Sequence, residues 1–169
     1  MSIDKDLLRK QYLNKTIRQL DFIIRNDHSH DKKEVEIAKE IIAPKRLAWK
    51  QQQTLIAKEI DGIIRKNQWF DCWLEESDKY SLQIHGGLDM YESPLIQILF
   101  LDVYFFSGFT SWYSDTSKTV FQVPAASEEV EYNQRFEIIQ DYQLFIFNSE
   151  DQRNNIYVIA NSCSYKLLK

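Results

Sequence analysis

Residues 69–84 read WFDCWLEESDKYSLQI, and here the spacing of the apolar residues changes from helical to alternating. Within this stretch Phe70, Cys72 and Leu74 occupy every second position, and the same alternation returns after Ser77-Asp78. A period of two indicates a strand, whereas a period near 3.6 indicates a helix. Ser77-Asp78 is typical of a hairpin turn. The stretch therefore predicts the point at which a helical segment gives way to an antiparallel sheet.

The segment before this point, residues 1–67, has helical periodicity. A first helix is predicted over residues 3–26, with acidic residues in its first turn, where the helix dipole favours them. Asp31 followed by Glu34 resembles a capping box and predicts a second helix from Lys32. Pro44 is expected either to kink this helix or to begin a new one, and the helical pattern then reaches about Lys66. The polar run Gln51-Gln52-Gln53 is expected to face solvent.

The segment after it, residues 68–169, has the pattern of a meander of antiparallel strands. Residues 95–106 are apolar in both alternating sets, which predicts a central strand covered on both faces, with a buried helix as the alternative. An acidic connection or short helix is expected over residues 124–133. Further strands are predicted over residues 118–123, 135–140, 142–148, 155–161 and 163–168. Helices followed by strands define an α+β fold, with two to three N-terminal helices packed on a C-terminal antiparallel sheet of six to eight strands.

Length and composition set the broad class. The chain has 169 residues, which fits one domain over residues 1–169, and only 4 Gly and 3 Pro, which argues against linkers. The first residues lack the pattern of a secretory signal, and the longest apolar run is shorter than a membrane span. Cys72 and Cys163 are too few for a disulfide framework, so we expect reduced, buried thiols. These features predict a cytoplasmic protein.

Charge is divided unevenly along the chain. Residues 1–67 carry 15 Lys and Arg against 10 Asp and Glu, a balance of +5, and residues 68–169 carry 6 against 15, a balance of −9, which together give the net charge of −4. Such an asymmetry creates a field that steers partners more than it determines the fold. Either it is a solvated surface with attraction between the segments, or the acidic segment meets a cationic partner.

Three motifs for other functions are weak. His85-Gly86-Gly87 resembles an oxyanion loop, but the chain has no Gly-x-Ser-x-Gly elbow, so a strand end explains it better. His28 and His30, in an acidic interhelical loop, have the chemistry of metal ligands, but a polar loop and helix cap explain them better. The basic residues of the helices alternate with acidic ones, and no nucleic-acid signature is present. We therefore predict no metal site, no cofactor and no nucleic-acid partner.

One carboxylate, Asp102, lies inside the predicted central strand. In a central strand its side chain is buried or lines a cavity. Helices packed on a bent sheet can enclose such a cavity. This alternative predicts a cone-shaped α+β barrel, either a ligand-binding protein or a small enzyme, with a small-molecule pocket lined by Asp102, His85 and Tyr104.

The aromatic residues support a different function. Trp and Tyr are favoured at protein interfaces, although they are equally suited to the core. Trp112 and Tyr113 are flanked by Ser, Thr and Asp and are expected to be the most exposed. We therefore predict a non-catalytic module that binds a basic protein, most concretely a bacterial immunity or antitoxin-like inhibitor. A structural subunit of a larger assembly is a further possibility. The predicted contact residues are Trp112, Tyr113, Asp115, Glu128, Glu129 and Glu131.

Overall fold

The structure is a computed structural model that describes residues 5–150 and 155–168. The chain divides into two compact units, Met1–Gln51 and Gln52–Lys169. The division falls inside a helix, so that the helix contributes residues to both units. The helices are α1 (Lys5–Leu13), α2 (Ile17–Arg25), a 3-10 turn (Asp27–Ser29), α3 (Lys32–Ile64) and α4 (Ala126–Phe136).

In the first unit, the single helix predicted over residues 3–26 is two helices, so that prediction is wrong. The break has a local cause, because Thr16 and Gln19 form a capping box. The Gln19 N–H donates to Thr16 Oγ1 at 3.2 Å, and the Thr16 N–H donates to Gln19 Oε1 at 2.8 Å. Residues 3 and 4 of the predicted helix lie outside the described residues. The core of this unit is an apolar cluster of Leu8, Tyr12, Leu20, Ile23, Val35, Ile37, Ala38, Ile41 and Ile42.

Helix α3 begins at the predicted capping box. Asp31 Oδ1 accepts the Lys33 N–H at 2.8 Å, and Glu34 Oε2 accepts the Asp31 N–H at 3.3 Å. The helix continues through Pro44 without a new start. The expectation that Gln53 faces solvent is wrong. Its side chain is buried, and its Oε1 accepts the Cys163 N–H at 2.8 Å, which ties the helix to the last strand.

The second unit contains a seven-stranded antiparallel sheet in the order β4-β1-β2-β3-β7-β6-β5. The α+β class and the antiparallel sheet are therefore confirmed. The strands are β1 (Phe70–Ser77), β2 (Ser81–Gly87), β3 (Ile96–Ser107), β4 (Ser111–Ser114), β5 (Phe121–Gln122), β6 (Gln143–Phe147) and β7 (Ile156–Leu167).

Two predictions about the strands are wrong, and one strand, β4, was not predicted. The sequence offers no alternation long enough to predict β4. The strand predicted over residues 135–140 is the end of α4 and the turn after it, where Glu137 has the left-handed φ of 50° that ends the helix. The strands predicted over residues 155–161 and 163–168 are one strand, β7, because its partner β3 is long enough to pair across Asn161-Ser162.

The core of the second unit lies between α3 and one face of the sheet. Ala57, Ile60 and Ile64 of α3 pack in one cluster with buried residues of every strand. The Tyr132 and Phe136 side chains of α4 cover the opposite face near β6, where they pack against Leu144, Ile146 and Ile159. Strand β6 is consequently buried throughout.

Strand β3 is the central strand of the sheet, as predicted, but it is not covered on both faces. Ile96, Ile98 and Phe100 are buried, whereas Leu101 on the other face is 46% exposed. The reason is that α4 covers the sheet around β6 and β7. Both cysteines are buried, as predicted. Among the described residues, no helix has the length and apolar character needed to cross a membrane.

Candidate functional site: an acidic cleft with aromatic walls

A cleft of about 510 Å³ opens in the second unit where four parts of the chain meet. These parts are the start of β1 with the residues before it, the loop 88–91 after β2, the end of β4 with Asp115, and Glu150 after β6. We call this feature the acidic cleft. Its charged lining consists of Asp71, Asp89, Asp115 and Glu150. Its exposed aromatic lining consists of Trp69, Tyr91 and Tyr113.

Strand pairing brings Asp71 to the centre of this site. Asp71 is the partner of Gly87 on one side and of Tyr113 on the other, so the loop after β2 and the end of β4 flank it. Its side chain is buried, with 9% of the residue exposed. Burial raises the pKa of Asp71 and the negative charge of Asp89 raises it further, while a hydrogen bond from the Met90 N–H opposes the shift.

The other carboxylates lie nearer to solvent. Asp89 Oδ1 accepts the Tyr91 N–H at 2.8 Å, which fixes the turn that carries Tyr91. Hydrogen bonds from the Ser117 and Lys118 side chains hold the pKa of Asp115 below its usual range. Asp115 Oδ2 lies 3.1 Å from Lys118 Nζ. None of the described residues that line the cleft is a lysine or an arginine, so the lining itself has a negative charge.

Three aromatic rings are open to solvent at the cleft. Trp69 is 57% exposed, Tyr113 is 60% exposed and Tyr91 is 91% exposed. The Trp69 indole is held in position, because its Nε1–H donates to the Leu88 carbonyl at 3.0 Å. Aromatic faces beside carboxylates attract cations, since the ring quadrupole presents its negative face to the positive charge. The chemistry of the lining therefore suits an organic cation.

Hydrogen bonds between the walls give the cleft a defined shape. The Thr116 hydroxyl donates to the Gln68 carbonyl at 2.8 Å, and Arg65 Nε donates to the Thr116 carbonyl at 3.3 Å. The Glu150 N–H also donates to the Tyr113 carbonyl at 2.9 Å. A site that is formed before binding loses less conformational entropy when a ligand arrives.

The structure separates the six predicted contact residues into three groups. Tyr113 and Asp115 line the acidic cleft. Trp112 does not, and the expectation that it is exposed is wrong. It is 4% exposed and its ring lies 5.0 Å from that of Phe147 in the core. The cause is the pleat of β4, which directs Trp112 and Ser114 inward and Tyr113 outward.

The third group lies on α4 and contributes nothing to the cleft. Glu128 and Glu131 are exposed and Glu129 is half-buried on this helix, which covers the sheet near β6. Glu128 also has a structural role, because its Oε2 accepts the Ala125 N–H at 3.0 Å. The acidic residues predicted as one surface are thus two separate clusters.

The alternative pocket of Asp102, His85 and Tyr104 is not assembled. His85 pairs with Gln97, which precedes Asp102 by five residues on β3, a distance of about 16 Å along a strand. His85 instead contacts Glu75, at 3.4 Å, on the open face of the sheet. The Tyr104 ring packs beside that of Tyr142 at 5.7 Å. Asp102 has a positive φ of 55° and lies two residues before Tyr104, where the pairing of β3 with β7 shifts.

The polar loop between the helices of the first unit also has a structural explanation. His30 Nδ1 lies 3.2 Å from Glu34 Oε2, and Glu34 is part of the cap of α3. Within residues 5–150 and 155–168, no group of three or more His, Cys, Asp or Glu side chains could hold a metal ion.

Sequence reasoning missed five residues of the cleft, namely Trp69, Asp71, Asp89, Tyr91 and Glu150. They come from three distant parts of the chain, and only pairing and loop closure bring them together. One signal was available, because an aspartate in the alternating pattern of β1 lies on the outward set of positions. Comparison of the chain with models of protein families, with characterised proteins and with solved structures found no match.

Proposed function

We propose that this chain is a non-catalytic binding module whose acidic cleft receives a cationic region of a partner protein. The observation that carries the proposal is the cleft itself, in which four carboxylates and three exposed aromatic rings line one pre-formed concavity. Complementary charge speeds the encounter of two proteins, and aromatic anchors supply contact area at the centre of an interface. The excess of acidic residues in 68–169 adds a long-range attraction for the same cationic partner.

The concrete form that we propose is a cytoplasmic inhibitor of the bacterial immunity or antitoxin type. Such a protein neutralises a basic toxin domain by covering it with an acidic surface. The discovery of a gene for a basic, growth-inhibiting protein beside the gene for this chain would support this form. We then expect co-expression of the two to restore growth, and a variant with a neutralised cleft to fail to do so.

The binding proposal itself is tested with two charge-matched variants. One neutralises the cleft (Asp71→Asn, Asp89→Asn and Asp115→Asn), and the other neutralises α4 (Glu128→Gln, Glu129→Gln and Glu131→Gln). Both remove the same charge, so a difference between them reports location rather than net charge. Binding is measured on an array of short synthetic peptides graded from acidic to basic, at low and high salt.

We expect the unmodified protein to retain basic peptides and to release them at high salt. The cleft variant should bind at least about tenfold more weakly, which is a loss of about 1.4 kcal/mol. The α4 variant should bind nearly as well as the unmodified protein. Retention that is independent of salt and of both variants would show that the proposal is wrong.

A further inference from the structure

We propose that the acidic cleft recognises an arginine side chain of the partner, and that it discriminates arginine from lysine. This inference rests on the proposed function and specifies the group that the cleft receives. It predicts a site for one guanidinium rather than a diffuse attraction between opposite charges.

The first argument is the set of hydrogen-bond acceptors in the wall. Asp71 is 9% exposed, and the carboxylates of Asp89, Asp115 and Glu150 lie nearer to solvent in the same cleft. A buried carboxylate costs free energy, which a ligand recovers by supplying hydrogen-bond donors and a positive charge. The guanidinium group has five N–H donors and no acceptor, and so it matches a wall of oxygen acceptors.

The second argument is the position of the rings. The Trp69 indole is fixed by its bond to the Leu88 carbonyl and is more than half exposed, as is the Tyr113 ring. A guanidinium is planar, so it stacks on an aromatic ring while its edge bonds a carboxylate. A lysine ammonium is compact and more strongly hydrated, so it gains less from a ring while it bonds a carboxylate. Carboxylates alone would attract either cation, but rings and carboxylates together favour arginine.

The third argument is size. The cleft measures about 510 Å³, which is within the range of about 300–1,000 Å³ for sites that enclose small ligands. One arginine with part of its flanking backbone fits such a volume. A helix or a sheet of a partner does not, so the partner has to present the arginine on a loop or an extended segment.

The test uses the whole protein and three small probes, namely the N-acetyl amides of arginine, lysine and citrulline. Citrulline has nearly the shape of arginine but no charge. Binding is followed by the backbone amide signals of Asp89 and Asp115 in NMR titrations. We expect weak binding of the arginine probe, at least about fivefold weaker binding of the lysine probe, and none of the citrulline probe.

Three variants locate the site. Trp69→Leu removes an exposed ring with little risk to folding, and Tyr113→Leu removes a second exposed ring. Both variants should bind the arginine probe several-fold more weakly. The difference in affinity between the arginine and lysine probes should become smaller. Trp73→Leu is the matched control, because Trp73 lies on β1 outside the cleft. This variant should bind the arginine probe as tightly as the unmodified protein does.

The outcomes separate the two proposals. Equal binding of arginine and lysine, or no effect of Trp69→Leu, would overturn the arginine site even if basic peptides are still retained by the cleft. Loss of peptide retention with intact, selective binding of the arginine probe would support the site and overturn the protein-binding function. Binding of citrulline as strong as that of arginine would exclude recognition of the charge.

Discussion

Asp71 and Asp78 are both aspartates of the first hairpin, yet their surroundings affect them in opposite directions. Burial and the charge of Asp89 raise the pKa of Asp71 above its ordinary value of 3.8. Hydrogen bonds from the Tyr80 and Ser81 N–H groups, each 2.6 Å from Oδ1, lower the pKa of Asp78. The folded state therefore disfavours one charge and favours the other.

We expect Asp71→Asn to stabilise the protein at pH 7 and Asp78→Asn to destabilise it. A raised pKa means that stability is lost as the pH rises from 3.8 through the folded-state pKa, so the full cost of Asp71 is present at neutral pH. A lowered pKa means the reverse, so the benefit of Asp78 is lost as the pH falls below 3.8. Urea unfolding at pH 7 and at acidic pH measures both. Effects of the same sign at neutral pH would contradict these assignments.

The thiols of Cys72 and Cys163 are the next residues whose behaviour follows from burial. Burial raises the pKa of both thiols, so the reactive thiolate is scarcely populated at neutral or mildly alkaline pH. We expect neither cysteine to react with iodoacetamide in native buffer at pH 8, and both to react at once in denaturant. Mass spectrometry of the labelled protein counts the modified sites. Rapid labelling of either cysteine in the native state would show that its surroundings open readily.

At the scale of elements, the same substitution has opposite effects in a helix and in a strand. Gly62 lies in α3, and a Cβ there would meet nothing within 4 Å. Gly86 lies in β2, and a Cβ there would lie 2.5 Å from the Phe70 ring, which is fully buried. We expect Gly62→Ala to stabilise the protein by about 0.5–1 kcal/mol. Gly86→Ala should destabilise it by about 1–3 kcal/mol. Urea midpoints check both, and a stabilising Gly86→Ala would contradict the close packing of β2.

The attachment of α3 to β7 depends on one polar side chain. Gln53→Met keeps the volume of the buried side chain but leaves the Cys163 N–H without its acceptor. An unsatisfied buried donor costs about 1–3 kcal/mol. Gln52→Met is the control, because Gln52 is exposed on the same helix and should be within about 0.5 kcal/mol of the unmodified protein. Equal unfolding free energies for the two variants would show that the bond contributes nothing.

Periodicity predicted the elements that have long, regular patterns. The first hairpin, β3 and the capping box of α3 were found this way, because local side-chain spacing and turn chemistry determine them. Strand β4 has only four residues, and its alternation is compatible with either Trp112 or Tyr113 facing outward. Pairing with β1 decides which of the two side chains faces outward, and the local sequence does not determine that pairing. Gln53 was misplaced for the same reason, since its partner Cys163 is 110 residues away.

For the whole molecule, the charge pattern pointed to the segment that contains the cleft, but not to the cleft itself. The acidic balance of residues 68–169 contains both the cleft and α4, and composition cannot separate them. Separation required the strand order, which places Asp71 between Gly87 and Tyr113 and leaves Glu128 on a helix near β6. A cleft made from four parts of the chain is a property of topology. Tyr113 and Asp115 could be predicted because they neighbour each other in sequence, whereas Glu150 could not.

The two compact units allow a test of whether the chain unfolds as the single domain expected from its length. Each unit has its own apolar cluster, and α3 contributes Ile37 to one and Ile60 to the other, both fully buried. An Ile→Val substitution costs about 0.5–1.5 kcal/mol in a core. We expect Ile37→Val to speed hydrogen exchange in residues 5–51 and to leave the sheet unchanged. Ile60→Val should speed exchange in the sheet and spare α1 and α2. If either substitution accelerates exchange equally along the whole chain, the units unfold as one cooperative domain, and the division into units has no energetic counterpart.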